Sequence, residues 1–166
     1  NIPNKDIVVV HRADGSGTTW IYSNYLSAVS TEWADLVGIG KSLDWPTGIG
    51  GRGNEGVANY VSQVDGAIGY VEYAYALQNS LTYVKLQNRD GNYVDPTADA
   101  FADAAANADW AHAAGYYMVL VDQPGADTWP IAGASFILLY KQQDDYDTAR
   151  GMLEFFHWCF MEGQDC

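Results

Sequence analysis

Residues 7–19 read IVVVHRADGSGTT, and the order of apolar, glycine and hydroxyl positions in this stretch decides the fold. The β-branched run Ile7–Val10 predicts a buried strand, because strands covered on both faces are apolar at nearly every position. The glycines at positions 15 and 17 end that strand. An amphipathic helix is expected from about Thr18 to Val29. A strand, a glycine-containing loop and a helix in this order indicate one unit of an α/β architecture.

Short strands and helices continue to alternate along the rest of the chain, which favours an α/β architecture throughout. A glycine-rich loop of residues 38–56 separates the first helical region from the next one. The sequence predicts further strands at residues 67–71, 83–86, 92–94, 118–121 and 135–140, the second and third forming a hairpin, and further helices around Trp33 and at residues 56–64, 72–78, 97–106 and 147–161.

Composition limits the chain to a globular domain and excludes several classes of function. The 166 residues are enough for one domain, and 48% of them are apolar, which excludes a disordered or collagen-like chain. The formal net charge is −13, so we expect neither a nucleic-acid-binding face nor docking to anionic lipid. Residues 1–91 carry 9 acids and 6 bases, whereas residues 92–166 carry 12 acids and 2 bases. An anion-binding site is therefore expected in the first half.

The loop between the first strand and the first helix has the features of an anion-binding site. The first amide groups of a helix lack intrahelical partners and carry partial positive charge, so they attract anions. Ser16, Gly17 and Thr18 would supply hydroxyl and amide donors. Arg12 adds a planar guanidinium that fits two oxygens of a phosphate, and Asp14 would either hold that group in place or accept a proton from the ligand. The same residues also fit a junction capped by Ser16, with Arg12 and Asp14 as a surface ion pair.

A second glycine-rich stretch, residues 48–56, reads GIGGRGNEG and formally matches the GxGxxG pattern. A dinucleotide-binding fingerprint directly follows a buried strand, whereas here Pro46 precedes the glycines and is unsuited to a central strand. We therefore expect no nicotinamide cofactor. The stretch is interpreted as a loop that leads into the next helix, with Asn54 as its N-terminal cap.

Other residue types that carry chemistry form no recognisable constellation. The histidines at positions 11, 112 and 157 are scattered without metal-ligand spacing, and the nucleophile motif GxSxG does not occur. We therefore predict no enzyme activity, no metal and no cofactor. The tyrosines at positions 70, 73 and 75 are interpreted as packing residues.

The two cysteines, Cys159 and Cys166, lie near the end of the sequence and lack the spacing of a metal site. They are either two incidental thiols or, in an exported protein, the partners of a disulfide that closes a short loop. No apolar run approaches the roughly 18 residues of a membrane span.

Several blocks of this sequence carry a family resemblance. Two of them are VVHRADGSGTT at residues 9–19 and WPTGIGGRGNEGV at residues 45–57. The others are residues 66–76, 109–110, 129–131, 136–138 and 155–158. In this order the blocks resemble the phosphate-binding proteins of bacterial phosphate-specific ABC transporters, and they span nearly the whole chain.

The resemblance implies a periplasmic-binding-protein-like fold of type II, in which two α/β lobes close over a phosphate. Each lobe is a mixed sheet flanked by helices. Only the C-terminal half of the family is matched, so the fold would be incomplete. Residues 1–134 would form most of the second lobe, and residues 135–166 would be a strand and a helix that return to a first lobe whose remainder is absent.

The same resemblance assigns a ligand site to residues 12–19, which are called the anion loop below. It places phosphate contacts at Arg12, Ser16, Gly17 and Thr18, and it pairs Asp14 with the arginine. The implied function is the binding of inorganic phosphate for delivery to an ABC-type importer, without catalysis, cofactor or metal. Selectivity for phosphate over sulfate stays open, because the family's proton-accepting aspartate lies in the half that is not matched.

The resemblance also implies partners and a location. The partners would be the membrane permease of a phosphate importer and a second chain that supplies the missing N-terminal half, with no nucleic acid. The location would be the periplasm or the extracellular side, with or without a surface anchor. Two other functions stay open: a phosphoryl-transfer enzyme or phosphate-ester hydrolase that uses the same loop, and a phosphate-sensing surface protein.

Overall fold

The computed structural model describes residues 4–163 of the chain. The chain divides into two compact units, one ending at Ala134 and the other beginning at Ser135. Its strands are β1 (Val8–Arg12), β2 (Ile49–Gly51), β3 (Ala67–Gly69), β4 (Leu86–Gln87) and β5 (Tyr93–Val94). Its α-helices are α1 (Gly17–Val29), α2 (Thr31–Leu36), α3 (Gly53–Gln63), α4 (Tyr73–Gln78), α5 (Ala98–Ala106) and α6 (Tyr146–Met161), and short 3₁₀ turns occur at Trp110–His112 and Ala114–Tyr116.

A three-stranded parallel sheet forms the centre of the first unit. Its strand order is β2-β1-β3, with Val10 opposite Ile49 on one side and Val8 opposite Ala67 on the other. Val10, in the middle of the central strand, is fully buried, as its β-branched run predicts. Helix α3 packs against all three strands. The predicted α/β architecture, with a sheet flanked by helices, is therefore confirmed.

The rest of the first unit packs around a short antiparallel hairpin and helix α5. Strands β4 and β5 pair antiparallel, which confirms the predicted hairpin over fewer residues than expected. Asn88 holds the turn: its side chain accepts from the amides of residues 90 and 92 and donates to the carbonyls of residues 125, 126 and 128. Val94, Ala100 and Trp129 form a buried cluster beside it. This hairpin is therefore fixed to the loop at residues 124–130.

Strand β2 was not predicted from the sequence. Its three residues, Ile49–Gly51, lie in the stretch that was interpreted as a loop, because two glycines carry no β propensity. Gly51 is required by the approach of α3: a Cβ atom there would lie 2.6 Å from the backbone nitrogen of Val57. The strand exists because it pairs with β1, which is a tertiary contact and not a local preference.

Two predicted strands do not form. In place of a strand at residues 118–121, a single antiparallel bridge joins Val121 to Ile131. Residues 135–140 are also not a strand, and Leu138 in their centre is 90% exposed. An apolar run becomes a strand only where a neighbouring strand accepts its hydrogen bonds. Within the described residues, no strand pairs with this segment.

The second unit consists mainly of α6, which begins one residue earlier than predicted. The Asp145 carboxylate caps it by accepting a hydrogen bond from the Thr148 amide at 2.6 Å. Cys159 lies half-buried in this helix, and Cys166 lies outside the described residues, so the disulfide stays a prediction. Across residues 4–163, no helix combines the length and the apolar character needed to span a bilayer.

We predict that Gly51→Ala destabilises the protein by about 2 kcal/mol, because the added methyl group meets backbone that cannot rotate away. Gly17→Ala is the matched control, since a Cβ atom there would have no neighbour within 4 Å. Its free energy of unfolding should stay within about 0.5 kcal/mol of the original value. Urea denaturation of both variants measures the difference. Equal stability of the two variants would contradict the packing argument.

Candidate anion-binding site

The predicted site lies at the edge of the sheet where all three parallel strands end. Strand β1 ends at Arg12, and the following loop leads directly into α1. Strand β2 ends at Gly51, from which the chain enters α3, and β3 ends one residue before Tyr70. In open α/β sheets, ligands bind outside the carboxyl ends of the strands. The topology therefore brings residues from three separate segments around Arg12.

Asp14 and Arg12 form a two-point ion pair. The Arg12 Nε–H donates to Asp14 Oδ1 at 2.9 Å, and the Arg12 Nη2–H donates to Asp14 Oδ2 at 2.7 Å. The Gly53 amide also donates to Asp14 Oδ1, at 3.0 Å. Gly53 has a φ of +68°, a conformation that favours glycine. Both carboxylate oxygens of Asp14 are thus occupied by donors of the protein.

These contacts shift the ionisation of both partners. Hydrogen bonds from the Arg12 guanidinium, and then from the Gly53 amide, hold the pKa of Asp14 well below its ordinary value. The hydrogen bond to Asp14 in turn raises the pKa of Arg12. The Arg12 side chain is only 10% exposed, so its charge needs this pairing. The pair is therefore charged throughout the neutral pH range.

Asp14 leaves one edge of the Arg12 guanidinium available. The guanidinium has five N–H donors. Asp14 accepts from two of them, the Nε–H and one Nη2–H, which point to the same side. On the opposite side, Arg12 Nη1 makes a long 3.4 Å contact with Asn54 Oδ1. The end formed by Nη1 and Nη2 can still donate to two oxygens of one anion. Asp14 occupies the Nε edge, so the terminal edge is the one that can serve as the fork for a ligand.

The start of α1, at the end of the same loop, supplies further donors. Ser16 is buried and caps the helix, because its Oγ accepts the Thr19 amide at 3.1 Å. The amides of Gly17 and Thr18 are the first two of the helix and have no intrahelical acceptor. No side chain crowds Gly17, since a Cβ atom there would have nothing within 4 Å. The Ser16 hydroxyl hydrogen and these amides are donors that an anion can use.

Tyr70, which the sequence predicts to be a packing residue, also supports the loop directly. Its hydroxyl accepts the Arg12 amide at 3.2 Å and lies 2.6 Å from Thr19 Oγ1. Its ring stacks on Tyr22, with the centroids 4.4 Å apart. Burial raises the pKa of the Tyr70 hydroxyl. Tyr70 therefore joins the end of β1 to the first turn of α1.

Asn54 is not the cap that the sequence suggested. The residue at the N-cap of α3 is Arg52, whose side chain makes no capping hydrogen bond. Asn54 is buried inside the first turn, and its Nδ2 donates to Glu72 Oε1 at 3.2 Å. Glu72 also accepts the Thr18 hydroxyl at 3.1 Å. Both side chains face the anion loop, although they lie far from it in the sequence.

The structure thus extends the set of residues around the predicted site. All five predicted residues lie on one loop and helix start, and Gly53, Asn54, Tyr70 and Glu72 join them. The four added residues share one signal, because each lies one to three positions beyond the end of a strand of the parallel sheet. In the described part of the chain, no three His, Cys, Asp or Glu side chains are grouped to hold a metal ion.

Comparison with known proteins identifies the family. Residues 1–161 match the family described as a PBP superfamily domain. The chain belongs to the PBP superfamily. This confirms the fold family that the sequence blocks indicated, and it agrees with the parallel sheet and its flanking helices. Membership in the superfamily extends over both compact units.

Individual relatives within the superfamily are similar over nearly the whole chain. The phosphate-binding protein PstS of Pasteurella multocida is 53% identical over 164 residues, which cover 99% of this chain and 48% of the relative. PstS of Haemophilus influenzae is 52% identical, with 99% and 49% covered. PstS of Methanocaldococcus jannaschii is 35% identical, with 98% of this chain and 46% of the relative covered. The chain spans about half the length of the curated relatives it matches.

We predict that Asp14 stabilises the protein in a pH-dependent way. Because its pKa is lower in the folded chain than in the unfolded one, its contribution is present above about pH 4 and is lost as the pH falls further. The unfolding temperatures of the unaltered protein and of Asp14→Asn should therefore differ at pH 6 and converge towards pH 2.

Asp65→Asn is the control for this series. Asp65 pairs with Lys5 at the surface, where both side chains are more than half exposed, so its removal should change stability by less than about 1 kcal/mol at any pH. A difference between the unaltered protein and Asp14→Asn that stays constant from pH 7 to pH 2 would show that the Asp14 carboxylate is not the stabilising group.

Proposed function

We propose that this chain binds inorganic phosphate through Arg12, Ser16, Gly17 and Thr18, with Asp14 as the brace of the arginine. The observation that carries the proposal is the terminal edge of the Arg12 guanidinium. It is held by two hydrogen bonds to Asp14, and the same loop leads into the first amides of α1, which have no intrahelical acceptor. A tetrahedral oxyanion fits this combination of a fixed planar donor and helix amides.

The balance of charge also favours a phosphate anion bound by local donors. The chain is acidic overall, and the charge of Arg12 is already compensated by Asp14. A dianion would therefore be held mainly by directed N–H and O–H groups, as in other helix N-terminal phosphate sites. The bracing role of Asp14 is supported by its contacts, because both of its oxygens accept hydrogen bonds from Arg12 or Gly53 and its lowered pKa disfavours taking a proton from the ligand.

The names of the relatives support phosphate binding, and the resemblance of the sequence blocks to the binding proteins of phosphate transporters supports a role in transport. The relatives from Pasteurella and Haemophilus are called phosphate-binding proteins. We therefore propose that this chain delivers phosphate to the membrane permease of an ABC-type importer, and that it acts in the periplasm or at the extracellular side, with or without a surface anchor. We propose binding rather than catalysis, since no observation on residues 4–163 favours a phosphoryl-transfer enzyme, an ester hydrolase or a sensor.

A two-lobed binding site is part of the proposal. The chain spans about half of its relatives, and the donors around Arg12 would cover only one side of a phosphate. We propose that a first lobe, in the same polypeptide or in a second chain, supplies the remaining donors. Residues 1–134 would then be most of one lobe, and residues 135–166 would pack on the other. The exposed apolar side chains of residues 136–140 support this assignment.

We predict that Arg12→Lys weakens phosphate binding by about 1–3 kcal/mol, which is a roughly 5- to 150-fold increase in Kd. A lysine keeps the charge but loses both the planar fork and the two-point pairing with Asp14. Isothermal titration calorimetry with inorganic phosphate on the full-length protein measures the effect.

The control for this variant is Arg89→Lys, in the exposed turn between β4 and β5, which should bind phosphate with unchanged affinity. If Arg12→Lys also binds phosphate as tightly as the unaltered protein, Arg12 lies outside the phosphate site and the proposed function loses its main support.

A further inference from the structure

We propose that Glu72 is a built-in competitor for the anion site: its carboxylate engages donors at the start of α1 and α3 and lowers the affinity for every anionic ligand. The inference rests on the proposed function and deepens it, because it concerns the same site. Glu72 lies between β3 and α4, and it is the one acidic side chain on that segment that reaches the anion loop.

The first observation is the hydrogen bond between Thr18 and Glu72. The Thr18 hydroxyl donates to Glu72 Oε1 at 3.1 Å. A threonine hydroxyl has a single hydrogen, so it cannot donate to Glu72 and to a ligand oxygen at the same time. A phosphate oxygen that uses this hydroxyl must therefore replace the Glu72 carboxylate as its acceptor.

The second observation is the position of the same carboxylate oxygen against Asn54. Asn54 Nδ2 donates to Glu72 Oε1 at 3.2 Å, while Asn54 Oδ1 faces Arg12 Nη1 at 3.4 Å. Glu72 Oε1 therefore contacts the Thr18 hydroxyl directly. It is also linked to Arg12 through the side chain of Asn54. The negative charge of Glu72 also contributes to raising the pKa of Arg12, although less than the pairing with Asp14 does.

A helix-capping role does not account for this arrangement. Glu72 occupies the N-cap position of α4, where an acidic side chain could accept amides of its own helix, yet its side chain makes no capping hydrogen bond. Its carboxylate instead crosses to α1 and α3. The side chain is therefore directed at the anion loop by contacts that its own helix does not require.

The electrostatic consequence is repulsion of the ligand. A phosphate oxygen bonded to the Thr18 hydroxyl would lie only two hydrogen-bond lengths from Glu72 Oε1, a distance at which like charges disfavour each other. Because Glu72 is exposed, water and salt screen part of this repulsion. The residue thus sets the affinity of the site rather than closing it.

The test compares Glu72→Gln with the unaltered full-length protein by calorimetry with inorganic phosphate. Glutamine keeps the shape of the side chain and removes its charge. We expect phosphate to bind about three- to tenfold more tightly, with the gain shrinking between 50 mM and 1 M NaCl as screening increases. Glu72→Ala should show a similar gain, and because the position is exposed, both variants should keep the unfolding temperature of the unaltered protein.

Glu55→Gln is the matched control, since Glu55 lies on α3 and accepts the Tyr75 hydroxyl at 3.2 Å. It removes the same charge without touching Thr18 or Asn54, and its Kd should change less than twofold. Weaker phosphate binding in both Glu72 variants would show that Glu72 is a structural brace and would overturn the inference, as would an equal gain in Glu55→Gln. The unaltered protein is titrated with phosphate first. If it fails to bind phosphate, the proposed function itself is wrong.

Discussion

The pairing of Arg12 with Asp14 is the interaction on which the anion loop depends. A nearly buried guanidinium at the end of a central strand is tolerated only if its charge is matched by a fixed partner. Asp14 provides that partner, and it is itself fixed by the Gly53 amide from the start of α3. The three residues therefore connect the end of β1 to the end of β2. The orientation of the guanidinium is set before any ligand arrives.

Further contacts reach the loop from the remaining sides. Tyr70 follows β3, and its hydroxyl accepts a hydrogen bond from the Arg12 amide. Ser16 closes the first turn of α1, and Glu72 holds the Thr18 hydroxyl from the side of α4. Each of these contacts comes from a segment that leaves the same edge of the sheet. The parallel sheet with β1 at its centre therefore places the donors for an anion and the carboxylate of Glu72 at the same edge. That carboxylate competes with the anion for the Thr18 hydroxyl.

Local signals explain which parts of this structure were predictable from the sequence. The run Ile7–Val10, the glycines after it and the capping residue Ser16 act within a few positions, so the strand, the loop and α1 could be placed closely. Strand β2 could not be predicted, because its glycines form a strand only by pairing with β1. The opposite error occurred at residues 135–140, where an apolar run has no described strand to pair with. The sequence does not reveal the contacts that Asn54, Tyr70 and Glu72 make around the site, because these contacts join residues that are distant along the chain.

The most direct test of this account is a crystal structure of the full-length protein with bound phosphate. We expect phosphate oxygens within about 3.2 Å of the terminal nitrogens of Arg12, the Ser16 hydroxyl and the amides of Gly17 and Thr18, with Asp14 still paired to the arginine. We also expect the Thr18 hydroxyl to turn from Glu72 to the ligand. Phosphate bound elsewhere, or bound here without contact to Arg12, would contradict the central claim.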